Sequence, residues 1–215
     1  MSGRLMRTDA ALEYWEARHR TQDDLRSGGH IGMDHAANEL FYALCLGRLI
    51  DVLGDLTSPR EPLFVLDAGC GKGWFSRAVG RFGHRVDAVD ASASAIEDCR
   101  RAAGGPRYEV STLSQWSSPW LYDVVYSVDV LFHIVGDDEW RASVSNLASL
   151  VRFGGLLVVA DEDRDARRQL GDYIVHRARS EYLDVTESCG LRHVDFRPYA
   201  FRDNLIGFHV FTRDR

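Results

Sequence analysis

Residues 63–77 read L-F-V-L-D-A-G-C-G-K-G-W-F-S-R, and this stretch decides the fold. An apolar run ends at the carboxylate of Asp67, and glycines occupy positions 69, 71 and 73 of the turn that follows. From Trp74 onward the composition is that of a helix. A buried strand, a glycine turn and a helix in this order are typical of the first unit of an open α/β sheet. Such a sheet binds its ligand at the carboxyl ends of the strands.

The same alternation of strands and helices continues downstream. Further strands are predicted over residues 85–90, 107–111, 122–130 and 155–161, and helices over 74–83, 95–104, 137–152 and 167–189. Residues 193–201 and 206–213 also read as strands, but the segment between them is too short for a crossover helix, so they should pair antiparallel. The prediction is an α/β fold with a Rossmann-like, seven-stranded, mostly parallel sheet, a C-terminal antiparallel hairpin and helices on both faces.

The N-terminal part of the chain lacks this alternation. Helices are predicted from Asp9 to Arg20 and from Asp34 to about Leu53, with a glycine-rich loop at residues 27–32 between them. We therefore expect an N-terminal helical cap or lid at residues 1–60 and a ligand-binding domain at residues 61–215.

Composition and charge restrict the class of partner. The chain has 215 residues, 45% of them hydrophobic and 27% charged, and a formal net charge of −6. This balance argues against a nucleic-acid partner and favours a small molecule. The four cysteines form no CxxC pair, and no apolar stretch approaches a signal sequence or a membrane span. We expect a cytoplasmic protein with reduced thiols and no membrane partner, and the sequence leaves the oligomeric state open.

Three interpretations compete for the glycine turn. A P-loop requires Ser or Thr after its lysine, but Gly73 follows Lys72. A dinucleotide fingerprint requires a small residue at position 74, which is Trp74. The remaining pattern, D-x-G-x-G-x-G from Asp67 to Gly73, resembles the first motif of the class I S-adenosylmethionine-dependent methyltransferases. V-L-D-A-G-C-G-K-G is close to the usual form of that motif.

This resemblance implies S-adenosylmethionine as cofactor and S-adenosylhomocysteine as product. The methionine part of that cofactor is a zwitterion without phosphate, so the carboxylate of Asp67 can approach its ammonium while glycine backbone lies against the chain. Asp90, about 20 residues after Gly69, is expected to accept hydrogen bonds from the ribose. For adenine the candidates are Ser111, Gln115 and Trp116. The full set of expected cofactor-binding residues is Asp67, Ala68, Gly69, Gly71, Gly73, Asp90, Ala91, Trp116, Ser127 and Trp15.

The segment Y-S-V-D-V-L-F-H-I, residues 126–134, is similar to the corresponding stretch of phosphoethanolamine and related small-molecule methyltransferases. The resemblance implies that His133 assists deprotonation of the acceptor, since a neutral imidazole can take a proton near neutral pH. Tyr14 of the N-terminal helix is the candidate to reach the acceptor, and Trp15 the candidate to cover the sulfonium. The alternatives are a packing role for His133 and aromatic anchoring of the helix by Tyr14 and Trp15.

Metal dependence is not expected. Asp129 and Asp161 end the fourth and fifth strands, roughly where catechol-type methyltransferases hold magnesium, but the amide ligand of that pattern is absent. The expected function is methyl transfer to an oxygen or nitrogen of a small metabolite. The alternatives are an RNA or protein methyltransferase, and a non-catalytic cofactor-binding subunit that scaffolds or activates a partner.

Overall fold

The computed structural model describes residues 5–54, 62–102 and 104–214. Its α-helices are α1 (Thr8–Thr21), α2 (Asp24–Gly28), α3 (His35–Gly54), α4 (Trp74–Arg81), α5 (Ala93–Arg101), α6 (Asp137–Ser149) and α7 (Arg179–Ser188). A single 3₁₀ turn, η1, covers Leu131–His133. The strands are β1 (Phe64–Ala68), β2 (Arg85–Asp90), β3 (Arg107–Val110), β4 (Tyr122–Ser127), β5 (Val151–Glu162), β6 (Arg168–Leu170), β7 (Ile174–His176), β8 (Leu191–Pro198) and β9 (Ile206–Arg213).

Seven of these strands form the main sheet. Their order is β3-β2-β1-β4-β5-β9-β8, and the first five run parallel. Strand β9 pairs antiparallel with both β5 and β8, which confirms the predicted C-terminal hairpin. Because β1 and β4 lie at the centre of a sheet covered on both faces, most of their residues are apolar. The predicted Rossmann-like fold is therefore confirmed.

Helix α3 belongs to the hydrophobic core. Cys45, Leu49 and Val52 are fully buried and pack in one cluster with residues of β1, β4, β5 and β9. The expected division of the chain at residue 60 lies outside the described residues and stays a proposal. Helices α6 and α7 pack with the opposite face of the sheet. Among the described helices, none has both the length and the apolar character that a bilayer span requires.

The helix predicted over residues 167–189 is wrong in its first half. Residues 168–176 instead form the antiparallel hairpin of β6 and β7, and α7 begins only at Arg179. Gly171 lies between the two strands with a φ of 64°, a left-handed conformation that ends a helix and suits a tight turn. The short helix α2 was also not predicted, and it includes residues 27 and 28, so the loop predicted at residues 27–32 begins only after Gly28.

Candidate functional site

A cavity opens at the carboxyl ends of β1, β2 and β4. Its empty space is about 1240 Å³, with the solvent at its mouth included. Residues of the glycine turn and of the loops after β2, β3 and β4 form its floor, and α1 forms its roof. This is the position at which open α/β sheets bind their ligands.

The glycine turn brings backbone close to the cavity. Gly69 has a φ of 88°, and a Cβ at this position would lie 2.5 Å from a methyl carbon of Val130. The backbone N–H groups of Gly69 and Cys70 both donate to the carbonyl of Val89 on the neighbouring strand. Side chains are therefore excluded from this part of the floor, and a ligand can lie directly against the main chain.

Asp90 lies at the tip of β2 and lines the cavity. Its Oδ2 accepts a hydrogen bond from the Gly71 N–H at 2.8 Å, and its Oδ1 accepts one from the Ser92 N–H at 2.8 Å. A carboxylate has about four acceptor sites, so each oxygen can accept a further bond from a hydroxyl. The side chain is thus fixed in orientation and suited to a vicinal diol.

Asp67 does not line the cavity. It is buried beneath the glycine turn, where its Oδ2 accepts a hydrogen bond from the Ser76 hydroxyl at 2.5 Å. Burial raises the pKa of this carboxyl to about 7, and the Ser76 hydrogen bond opposes the shift. Its expected contact with a cofactor ammonium stays a prediction.

The other expected site residues divide into two groups. Those that line the cavity, together with Asp90, are Trp15, Gly69, Gly71, Ala91 and His133. Those that do not line it, together with Asp67, are Tyr14, Ala68, Gly73, Trp116 and Ser127. Of the adenine candidates, Ser111 lines the cavity and Gln115 does not.

Residues of the second group contact other parts of the protein. The Ser127 hydroxyl donates to the carbonyl of Ala68 at 2.8 Å and so links β4 to β1. The guanidinium of Arg107 lies 5.8 Å from the centre of the Trp116 ring. Tyr14 packs against the Tyr173 ring on the turn between β6 and β7, with 5.7 Å between centroids. Contact of these residues with a ligand stays a prediction.

His133 lies in an aromatic cluster at the cavity wall. The rings of Trp15 and Tyr173 lie 4.6 and 5.7 Å from it, and the Tyr173 ring is parallel to the imidazole. Its Nδ1 lies 3.1 Å from the Tyr173 carbonyl, which can only accept, so the proton is on Nδ1 and Nε2 has the lone pair. Burial lowers the pKa of His133 to about 3, so the ring is neutral near pH 7.

Several cavity residues escaped the sequence analysis. Thr8, Ala11, Leu12 and His19 of α1 line the cavity together with Trp15, which had been predicted there. Their spacing of three or four residues places them on one face of a helix, a signal that the sequence contains. Tyr42 and Phe75 also line the cavity, from α3 and α4. Their position at the cavity depends on tertiary packing between distant elements, so no local sequence pattern predicts it.

Asp161 is engaged in a buried polar network. Its Oδ1 lies 2.6 Å from Nδ1 of His176, and its Oδ2 accepts a hydrogen bond from the Tyr182 hydroxyl at 2.7 Å. Asp129 instead lines the cavity. Within the described ranges, no group of three His, Cys, Asp or Glu side chains is arranged to hold a metal ion.

The centre of the chain matches a known family. The family model described as "Methyltransferase domain" matches residues 65–155, which include the glycine turn, Asp90 and His133. Over these residues the chain is similar to the class I S-adenosylmethionine-dependent methyltransferases. The chain is 32% identical, over 119 residues, to the ubiquinone biosynthesis O-methyltransferase of Caulobacter sp. (strain K31). That match covers 52% of the chain and 45% of the relative, so the chain spans less than half the length of this curated relative.

Solved structures of methyltransferases share the fold of this chain. Magnesium protoporphyrin IX methyltransferase from Synechocystis PCC 6803, solved with bound S-adenosylmethionine, gives a TM-score of 0.74 at 18% identity, with 100% of both chains covered. The 1,6-didemethyltoxoflavin-N1-methyltransferase of Burkholderia thailandensis, solved with its acceptor and S-adenosylhomocysteine, gives 0.67 at 18% identity, covering 100% of this chain and 94% of that one. At such identities the likeness concerns the fold.

Proposed function

We propose that the chain transfers a methyl group from S-adenosylmethionine to an oxygen or nitrogen of a small metabolite, with S-adenosylhomocysteine as product. The cavity carries this proposal, because it combines a side-chain-free floor at Gly69 with the oriented carboxylate of Asp90. Such a floor suits an amino-acid chain, and such a carboxylate suits the ribose diol. Relatives solved with this cofactor or its product support the proposal.

The residues around Asp90 fit a nucleoside. Ser111 and Leu113 follow β3 and line the cavity, and the Ser111 N–H donates to the Asp90 carbonyl at 2.9 Å. Leu113 packs in one cluster with Val130 and Ile134, which also line the cavity. We assign the adenine ring to these apolar side chains, with Ala11 and Leu12 of α1 as further apolar residues of the same cavity. The cofactor supplies an electrophilic methyl group on its sulfonium, and the protein aligns the acceptor with it.

His133 is the proposed general base. The Tyr173 carbonyl holds the Nδ1 proton, so Nε2 is the nitrogen able to accept a proton. With a pKa lowered to about 3 by burial, the imidazole is ready to accept at neutral pH, although it binds the proton weakly. Proton uptake at Nε2 would therefore be transient, and release to water would follow. Tyr14 is the proposed contact to the acceptor. Its ring contacts that of Trp15, which in turn contacts the ring of His133.

The proposed compartment is the cytoplasm. All four cysteines are free thiols, and Cys45, Cys70 and Cys99 are buried, which is in keeping with a reducing environment. The acidic net charge supports a small-molecule acceptor over RNA.

Calorimetry with S-adenosylhomocysteine tests cofactor binding. We expect one site per chain and at least tenfold weaker binding in Asp90→Ala, because the ribose hydroxyls lose their acceptor. Asp138→Ala, an exposed carboxylate on α6, is the matched control and should bind like the wild type. Wild-type protein that does not bind S-adenosylhomocysteine would refute the proposal.

A radiolabel assay tests methyl transfer. Tritiated S-adenosylmethionine is incubated with a metabolite extract, and the label is followed separately in small molecules, RNA and protein. Label in small molecules supports the proposal, whereas label in RNA or protein supports the alternative acceptors. Binding without transfer to any fraction would indicate a non-catalytic subunit. His133→Asn should bind S-adenosylhomocysteine normally and transfer methyl at least tenfold more slowly.

A further inference from the structure

The cavity has two chemically different ends. At one end Leu113, Val130 and Ile134 belong to the core on the α6 face of the sheet. At the other end Tyr42, Trp74, Phe75 and Val128 belong to the core on the α3 face. The proposed function assigns the first end, with Asp90, to the nucleoside of the cofactor. The second end, which we term the aromatic end (Tyr42, Trp74, Phe75, Val128), is then left for the acceptor.

The aromatic end is built from rings that contact one another. The Tyr42 ring lies 5.1 Å from that of Phe75 in a stacked arrangement and 5.2 Å from that of Trp74 in an edge-to-face arrangement. Trp74 and Phe75 are also in edge-to-face contact at 5.0 Å. Aromatic walls of this kind favour a flat, apolar molecule, which can stack on one ring and meet the edge of another.

Asp129 adds one polar group beside this end. Its backbone has a φ of 56°, a left-handed conformation that few residues other than glycine adopt, and its side chain lines the cavity. The Tyr199 hydroxyl donates to its Oδ1 at 3.2 Å. Its Oδ2 accepts no hydrogen bond from any residue that the structure describes. A strained residue that presents an unused acceptor to a cavity points to a ligand contact.

The charges of the cavity wall disfavour an anionic acceptor. Three carboxylic side chains line the cavity, namely Asp90, Asp129 and Glu139. The ammonium of Lys72, which also lines it, lies 3.0 Å from a carboxylate oxygen of Asp98 and donates to the carbonyl of Gln22 at 2.9 Å. The positive charge on this side of the cavity is thus paired. Burial raises the pKa of Asp129 to about 7, so above that pH a carboxylate or phosphate on the acceptor would meet like charge.

We propose that Asp129 is the acceptor-binding residue, and that the acceptor is a flat, uncharged molecule whose O–H or N–H donates to Oδ2. The aromatic end holds the ring of this molecule, and Asp129 fixes the position of its donor relative to the sulfonium. This inference rests on the proposed function, since it needs the cofactor at the opposite end. It assigns Asp129 a role in binding and alignment, separate from proton removal by His133.

Three naphthalene probes test the proposal on protein saturated with S-adenosylhomocysteine. 2-Naphthol has a flat ring and a donor, 2-methoxynaphthalene has the ring without the donor, and 2-naphthoate has the ring with a negative charge. Their dissociation constants are measured by calorimetry. We expect 2-naphthol to bind at least tenfold more tightly than either of the other two, because only 2-naphthol satisfies Oδ2 without adding charge.

Protein variants test whether Asp129 causes the difference in affinity between 2-naphthol and 2-methoxynaphthalene. In Asp129→Ala the preference for 2-naphthol over 2-methoxynaphthalene should fall to less than twofold, whereas Asp138→Ala should retain it. Affinity for S-adenosylhomocysteine checks that each variant is folded, and Tyr199→Phe, which keeps the ring, should reduce the preference only partly. Equal binding of 2-naphthol and 2-methoxynaphthalene to the wild type would overturn the proposal, as would an unchanged preference in Asp129→Ala. Failure of S-adenosylhomocysteine binding itself would instead refute the proposed function.

Discussion

At Gly69, both the backbone conformation and a neighbouring side chain disfavour any other residue. Its φ of 88° disfavours any residue with a Cβ, and that Cβ would also lie 2.5 Å from a methyl carbon of Val130. Gly83, after α4, has a similar φ of 93° but no atom within 4 Å of the corresponding position. Substitution of Gly83 therefore tests the backbone conformation alone, whereas substitution of Gly69 tests the conformation together with the steric contact with Val130.

Alanine substitutions at both glycines measure the two contributions. Gly83→Ala should lower the free energy of unfolding by about 1–2 kcal/mol, the cost of the left-handed conformation. Gly69→Ala should lower it by about 1–3 kcal/mol more, because the added methyl overpacks the contact with Val130. Urea unfolding followed by circular dichroism gives both values. Equal losses in the two variants would show that the contact with Val130 relaxes at no cost.

His133 links the site to acid stability. Its pKa is about 3 in the folded protein, against about 6.5 in an unfolded chain, so the unfolded state binds more protons between these values. The contribution of His133 to the free energy of unfolding therefore becomes less favourable as the pH falls from about 6.5 toward 3. His133→Asn, which has no titrating group, should lack this contribution.

Urea midpoints at pH 7 and pH 5 measure this effect. On going from pH 7 to pH 5, the free energy of unfolding of His133→Asn should rise relative to that of the wild type, because the variant lacks the unfavourable contribution of His133. In His35→Asn, which changes an exposed histidine at the start of α3, the change between the two pH values should match that of the wild type. An identical change in all three proteins would mean that His133 is protonated in the folded state as readily as in the unfolded chain.

At the scale of elements, α1 is held over the cavity by polar contacts. The Ser92 hydroxyl donates to Oε2 of Glu16 at 2.7 Å, and the Ser94 N–H donates to the same oxygen at 3.3 Å. These bonds join α1 to the start of α5, directly after Asp90. Hydrogen bonding from Ser92 also lowers the pKa of Glu16, so the carboxylate is charged at neutral pH.

Removal of this contact should loosen α1. Glu16→Ala should increase amide hydrogen exchange in residues 8–21 at least fivefold and speed dissociation of S-adenosylhomocysteine, because the roof opens more often. Glu13→Ala, an exposed residue on the same helix, is the matched control. Exchange mass spectrometry and stopped-flow fluorescence measure the two effects. If both variants exchange at the wild-type rate, α1 is held by its apolar contacts alone.

The elements differ in how far the sequence predicts them. Helices α1 and α3 and all seven strands of the main sheet follow from apolar periodicity and glycine positions, because these patterns reflect burial along each element. The hairpin at residues 168–176 does not, since its strands have only three residues each and lie in a segment of helical composition. Gly171 was the available signal, and it marks the turn.

The site shows the same limit. Gly69 and Asp90 were placed at the cavity from local motifs, because the turn and the strand tip fix their positions. The burial of Asp67 and the position of Tyr42 at the cavity depend on packing between distant elements, which no local sequence pattern predicts. Motifs thus predicted the cofactor end of the cavity better than the aromatic end.

At the scale of the whole molecule, α3 connects the N-terminal segment to the sheet. Leu49 on this helix is fully buried in the same cluster as Val124 of β4 and Phe208 of β9. A cap that could separate from the sheet would not share its core in this way. We therefore expect the described N-terminal helices and the sheet to unfold together, with α1 as the part that moves over the cavity.

Leu49→Ala tests this cooperativity. The lost methyl groups and the cavity left behind should lower the free energy of unfolding of the whole chain by about 2–5 kcal/mol. The urea midpoint should fall with no change in slope, and circular dichroism and tryptophan fluorescence should give the same transition. Leu40→Ala, on the same helix but 65% exposed, should change the free energy by less than about 0.5 kcal/mol. Two separate transitions in Leu49→Ala would instead indicate that residues 1–60 form an independent unit, because only that unit would then lose stability.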